Sequence, residues 1–448
     1  MEDVEAKRSD AVTNQIAPIA LLPTEILSAV FEDLHASQEM SIPFAERCEV
    51  IVSHVSAGWR AIAIGTPSLW TRIQRKSFQR QLDSIEAYLR RSKTLPIDLF
   101  IAIDYYELDT SDWEVPDVPP DRDDTRTYDC LIKSHLPRCR HISIKTHYRR
   151  ELIAQLNLLS AERAPFLQSM DLSCSYPFDD WELVARPDVL SGGAPCLNAL
   201  RSLARLSCKV LDSTRLSHVP NLTHLTLDPA TLTNEVLDST FEISLPQLLT
   251  LWLQLKSAPA GSVAAFLTFL SAPLLEALHL GGLAQGDIGD GWTPAKFPAL
   301  HVLVIDWGLN GLPEMYSLAA SCPYITHLGY VDNPEHILEP LKYILEPLIA
   351  ADFNEDRLAS GHYPPAIWKC LHTLALTCDS GTEHILAILS ARKNAGAPIK
   401  KLLLRSSFFA HSHHLFAQHV EVEDSGERLR TQKLYPSWER WNTWRWKA

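Results

Sequence analysis

PNLTHLTL (Pro220–Leu227), PQLLTLWL (Pro246–Leu253), PLLEALHL (Pro273–Leu280), PALHVLVI (Pro298–Ile305) and PYITHLGY (Pro323–Tyr330) are one phrase written five times. Each is a proline followed by apolar residues in the pattern L-x-x-L-x-L, and successive prolines stand 26, 27, 25 and 25 residues apart. The last two apolar residues of a phrase are two apart, so they point to one side of a β-strand. One short strand cannot bury that side alone. Stacked copies can, because each covers its neighbour and a continuous core results. A period of about 25 residues holds one strand, one return helix and two connections. The spacing therefore predicts parallel strands joined by helices in a curved solenoid.

The phrase extends in both directions. PFLQSMDL (Pro165–Leu172) and the weaker PRCRHISI (Pro137–Ile144) precede it, and KCLHTLAL (Lys369–Leu376) and PIKKLLLR (Pro398–Arg405) follow. Between Pro165 and Pro220 the register is ambiguous: PCLNAL at Pro195 fits the period, whereas Leu203, Leu206 and Cys208 fit the strand pattern better. GSVAAFLTFLSA (Gly261–Ala272) and LPEMYSLAASC (Leu312–Cys322) read as return helices. Residues 331–366 hold ILEPL twice, and Pro340 and Pro347 break any continuous helix there. This stretch is an irregular repeat or an insertion.

The N-terminal part is organised differently. A tail runs to about Ile16, then come a helical block at Leu21–Leu34 and Phe44–Ile64 and a helix at about Lys76–Arg91. In that last helix Phe78, Leu82, Ile85 and Leu89 are spaced 4, 3 and 4, one face of a helical period. TLPIDLFIAI (Thr94–Ile103) alternates like a strand. The acidic stretch Asp104–Asp129 is a solvated loop or a lure for a basic partner.

Composition narrows the function. The 448 residues are 46% hydrophobic and 21% charged, with a formal charge of −13, a folded chain ill-suited to nucleic acid, which needs a basic patch. The first ten residues lack the apolar core of a secretory signal, and no stretch of about 18 apolar residues suggests a membrane span. The nine cysteines are scattered and never form C-x-x-C, so reduced thiols in cytoplasm or nucleus are expected. No nucleophile elbow, phosphate loop or H-E-x-x-H occurs, so no catalytic residue, metal or cofactor is expected. The histidines of HSHHLFAQH (His411–His419) and the Cys130, His135, Cys139, His141 group lack zinc-site spacing. The tail YPSWERWNTWRWKA (Tyr435–Ala448) reads as a cap or a binding element.

The repeats resemble leucine-rich repeats, although the family's Asn or Cys three places after the last apolar residue is replaced by Ser175, Ala230, Lys256, Leu283, Gly308 and Asp379. LPTEILSAVFEDL (Leu22–Leu34), HVSAGW (His54–Trp59) and TPSLW (Thr66–Trp70) stand in the order of an F-box, with Ser56 in place of the usual Cys. Together with TLPIDL (Thr94–Leu99), the chain resembles the F-box proteins with degenerate repeats of mushroom-forming fungi. The resemblance implies docking on the Skp adaptor, and through it on a cullin, with the repeat domain presenting an unknown protein substrate for ubiquitin transfer. An interaction scaffold with no ubiquitin-delivery role is the alternative.

The expected fold is α+β. A three-helix F-box-like module (17–73) follows a flexible tail (1–16). A linker helix, first strand and acidic loop (74–130) lead to an α/β leucine-rich-repeat solenoid (131–410) and a C-terminal cap or tail (411–448). Ile26, Leu27, Val30, Phe31 and Leu34 make an apolar stripe wider than a small unit can bury. Adaptor contacts are thus expected from Leu22, Pro23, Ile26, Leu27, Val30, Leu69 and Trp70. Substrate contacts are expected from strand positions alternating with the buried ones: His224, Asp228, Trp252, His279, Val302, Asp306 and His327. Trp252 is their aromatic anchor.

Overall fold

The computed structural model describes residues 18–38, 46–76, 82–103, 131–148, 152, 155–156, 163–176, 194–202, 221–227, 243–254, 262–282, 296–306, 318–331, 368–377 and 382–424. The described strands are β1 (Arg72–Lys76), β2 (Ile97–Ile103), β3 (Cys139–Tyr148), β4 (Ser169–Tyr176), β5 (Ala199–Ser202), β6 (His224–Leu227), β7 (Ile243–Ser244), β8 (Thr250–Gln254), β9 (Leu270–Ser271), β10 (Ala277–Gly281), β11 (Val302–Asp306), β12 (His327–Val331), β13 (Thr373–Leu376), β14 (Lys401–Leu404) and β15 (Glu421–Asp424). All but β7 and β9 form one thirteen-stranded sheet in chain order, and every neighbouring pair in it is parallel. β7 and β9 pair separately. Each strand lies beside the one before it, the order that a stack of repeats produces; a doubly wound sheet would reverse direction partway.

The in-register pairing explains the phrase. Leu251, Leu278, Leu303, Leu328, Leu374 and Leu402 stand side by side across six strands. Each is at most 1% exposed. The second column, Leu253, Leu280, Ile305, Tyr330, Leu376 and Leu404, is equally buried. The recurring proline has a separate cause. The carbonyls of Ala164, Ala194, Leu245, Ala272 and Phe297 each accept from the N–H three residues on, at Leu167, Leu197, Leu248, Leu275 and Leu300. The proline is the second residue of each turn, where its fixed φ is favoured. Where Lys369 replaces it, the same bond forms from Leu371 N–H to Trp368 O at 2.9 Å, and Trp368 takes φ 51°. A residue before proline is pushed to extended backbone, and Trp368 is free of that constraint.

The ambiguous copy is settled at Pro195. The strand is β5, with Leu197 and Leu200 buried, and Leu203, Leu206 and Cys208 lie outside the described residues. The return helix expected at Gly261–Ala272 is present as Ser262–Phe269; of the other, residues 318–321 are helical and the rest lies outside the described residues. The duplicated ILEPL and the acidic stretch Asp104–Asp129 also lie outside them. The small β7–β9 pair was not expected, β9 falling at the end of the expected return helix, and two strands of the large sheet also exceed expectation. β1 precedes the anticipated first strand, and β15 continues the sheet into the segment read as a cap.

The described α-helices with full bounds are α1 (Thr24–Ser37), α2 (Cys48–Val55), α3 (Ala57–Gly65), α4 (Leu82–Arg91), α5 (Ser262–Phe269), α6 (Thr382–Asn394) and α7 (Ser406–Phe416). Leu27, Phe31, Leu69, Trp70 and Ile73 share one continuous core with the strand columns. The boundary expected at residue 73 therefore runs through β1, which pairs with β2 from Arg72↔Asp98 onward. The N-terminal helices close the first edge of the sheet.

Candidate functional site

The helical block expected over Phe44–Ile64 is divided at Ser56, which is extended (φ −155°, ψ 166°). Its Oγ accepts from the Trp59 N–H at 3.2 Å, so Ser56 is the N-cap of α3. The hydroxyl standing where the resembling family has Cys thus has a local duty. Trp59 packs on Phe31 with ring centroids 5.0 Å apart. Trp70 is held from three sides. Its Nε1 donates to Ala63 O at 2.8 Å, Tyr88 meets it edge-on at 4.9 Å, and the Arg91 guanidinium lies 4.2 Å over its ring.

The wide stripe on α1 divides into two parallel columns about 100° apart. Leu27, Phe31 and His35 face inward at 4%, 2% and 8% exposure. Leu22, Ile26, Val30 and Leu34 face outward at 40%, 49%, 52% and 45%. Pro23 is exposed and stands at the N-cap of the helix. Three expected docking residues are corrected by this packing. Leu27, Leu69 (0%) and Trp70 (1%) are core, because α1 and the turn Pro67–Trp70 pack on α3 and α4 with those side chains between them. Six exposed apolar residues were not anticipated as contacts: Ile19, Leu21, Leu34, Ile51, Val55 and Ile64. Among the described residues, nine of the fourteen large apolar side chains left exposed fall between residues 19 and 64. Exposed apolar surface is thus concentrated on the N-terminal helices.

Beneath it lies a buried polar network. Glu49, 1% exposed, accepts from His35 Nδ1 at 3.1 Å and from the Tyr88 hydroxyl at 2.8 Å. Burial alone would raise the Glu49 carboxyl; the hydrogen bond and charge of His35, with the Tyr88 bond, outweigh it and hold the pKa below the usual carboxylate range. Burial and the adjacent Glu49 charge push the Cys48 thiol up to about 12. His35, Cys48 and Glu49 are the one His/Cys/carboxylate group among the described residues whose ligand atoms all lie within 4.8 Å. The Arg72 guanidinium acts on both Cys48 and Glu49, and its positive charge opposes a divalent cation there. The network reads as a core hydrogen-bonded cluster around the Glu49 carboxylate, with His35 Nε2 left buried and unpartnered among the described residues.

A cleft of about 310 Å³ opens between α2, α3 and α4. Ser53 and His54 line it, but the Ser53 hydroxyl donates to Val50 O at 2.7 Å. That hydroxyl is committed to backbone rather than to a base. The four histidines of His411–His419 are exposed on and just after α7. His411 and His413 each have Nδ1 bonded to the carbonyl four residues back.

On the sheet, the alternation is as expected but the exposure is not. Val302 and His279 are 4% and 7% exposed, core values rather than those of an open face. Small and apolar neighbours, Ala277 and Val304, pack beside them. Trp252 is half-buried, its ring stacked on His279 with centroids 4.2 Å apart and planes 4° from parallel. His224 and His327 are half-buried at the leading edge of the face; burial and the neighbouring His372, His301 and Lys401 lower the His327 pKa to about 4. Asp306 ends β11, and Asp228 lies outside the described residues. The sheet brings Trp252, His279 and Val302 together and leaves His224 and His327 on strands to either side.

Among the described residues no helix is long and apolar enough to cross a membrane. Cys48, Cys139, Cys196, Cys322 and Cys370 are free thiols. No protein-family model matches the chain, and no curated protein matches it.

Proposed function

We propose that this chain is the substrate-recognition subunit of a cullin-type ubiquitin ligase. Its N-terminal helices act as an F-box that docks on the Skp adaptor, and its sheet is a leucine-rich-repeat solenoid that holds a target protein. The observation that carries this reading is the outward column Leu22, Ile26, Val30 and Leu34 beside the buried column Leu27, Phe31 and His35. An isolated helical unit gains nothing from a second apolar column. A partner that covers it gains about 1 kcal/mol for each half-exposed side chain.

The test is co-purification of the full-length chain with the Skp adaptor, followed by ubiquitin conjugation of a bound protein in the reconstituted ligase. Adaptor binding with conjugation is the expected result. Adaptor binding without conjugation of any bound protein would leave the chain a scaffold, and failure to bind the adaptor would remove the reading altogether.

A further inference from the structure

The sheet has a second buried face. Ala277, Val302, Val304, Ala375 and Leu403 form an apolar cluster separate from the main core, each between 0% and 4% exposed, with Trp252 packed against it. They occupy the positions that alternate with the core columns, so they lie on the opposite side of the sheet. Among the described residues no helix contributes a side chain to this cluster. Strand pairing lines up one row across it: Trp252, His279, Val304, Gly329, Ala375 and Leu403. The row is tall at both ends and low in the middle, where Gly329 and Ala375 offer almost no side chain. It is a trough with an aromatic wall and an apolar floor.

We propose that this trough takes tryptophan side chains and that its occupant is the chain's own segment Tyr435–Ala448. That segment carries Trp438, Trp441, Trp444 and Trp446 within nine residues. Flat indoles are the side chains that fill such a trough with most contact area per residue. The chain leaves the sheet at β15, whose Glu423 continues the same row beside Leu403. From β15 back to β8 is six strand spacings, about 29 Å, and the residues after Asp424 span up to about 80 Å when extended. Net charge draws the segment back toward the rest of the chain, while the row itself carries, among the described residues, only the charge of Glu423, paired with Lys401 at 2.6 Å. Residues 425–448 hold six cations and two carboxylates, a net +4, against −13 for the whole chain, so the remainder carries −17. The inference stands apart from adaptor docking.

Two measurements on the full-length chain test it. In the first, Trp444 is replaced by p-benzoylphenylalanine, an equal mixture of light and isotope-labelled chain is irradiated, and cross-linked peptides are mapped. The expected product joins position 444 to β8, β10 or β11 within one chain; products only between chains, or only to other parts of the chain, overturn the proposal. In the second, Val304→Cys is labelled with a maleimide and its own peptide is followed. Labelling is slow in the otherwise native chain and rises about thirtyfold or more when Trp441, Trp444 and Trp446 are changed to Ala, the effect of losing one anchoring tryptophan. Fast labelling in both chains, or slow labelling in both, overturns it. Should the triple variant also expose the buried Cys139 and Cys322, it has unfolded and the cross-link decides.

Discussion

Val302→Thr separates a covered face from an open one. Threonine keeps the volume and the β-branch, so strand preference changes little, and the one real change is a methyl replaced by a hydroxyl. On an open sheet face that hydroxyl stays hydrated and stability moves by less than about 0.5 kcal/mol. Val302 is 4% exposed, between Ala277 and His327 in register and next to Val304 on its own face. Ala277 and Val304 have no side-chain acceptor, and His327 Nδ1 is engaged with Thr326 Oγ1 at 2.8 Å. A hydroxyl buried there without a partner costs about 2 kcal/mol. The assay is the opening free energy of the β11 amides by hydrogen exchange in urea, because stacked repeats open locally before they unfold as a whole. Val304→Thr, at a site 2% exposed, serves as the parallel case. If both variants stay within about 0.5 kcal/mol of the parent, the face is open, and the burial argument falls together with its proposed occupant.

Asp98 is fully buried and takes Arg140 Nε at 3.0 Å and Nη2 at 2.8 Å. Asp98→Ala removes both charge-assisted bonds and, with Arg140 still 40% exposed, lowers stability by about 2 kcal/mol in equilibrium unfolding. Ser56→Ala removes the α3 cap and costs about 1 kcal/mol, read from the same transition. Burial lowers the His141 pKa to about 4, the Asp98 charge offsetting only part of this. The folded state therefore prefers the neutral ring. This contribution is complete above the unfolded value near 6.5 and is lost as pH falls from there towards 4, about 2 kcal/mol by pH 5. Urea midpoints at pH 7 and pH 5 check this; His141→Gln is expected to remove about 2 kcal/mol of the difference and leave the part carried by His327, also lowered to about 4.

The repeat phrase made the core columns legible because each column is the same chemical demand met again every 25 to 27 residues. The turn was legible for the same reason, through its proline. The strands of the large sheet that escaped, RIQRK at β1 and EVED at β15, are its two edges. Their charged side chains erase the apolar alternation by which a strand is recognised. The second buried face did leave a signal. HVLVI and KLLL are apolar at successive positions, which is the pattern of a strand covered on both sides. An expectation of one wet face overrode it. On α1 the width of the stripe was legible, but periodicity alone could not say which column turns inward. That choice is made by Phe31 against Trp59 and by the turn that carries Leu69 and Trp70.

Adaptor docking is tested most directly by the dissociation constant between the purified full-length chain and the Skp adaptor, measured for the parent and for the double variant Ile26→Glu, Val30→Glu. Both positions are half-exposed, so the urea midpoint of the variant is expected to match the parent. Losing two apolar contacts and placing two carboxylates in a dry interface weakens binding by about 3 kcal/mol, more than a hundredfold. An unchanged dissociation constant, within about twofold, in a variant that remains folded would contradict the docking surface assigned to α1.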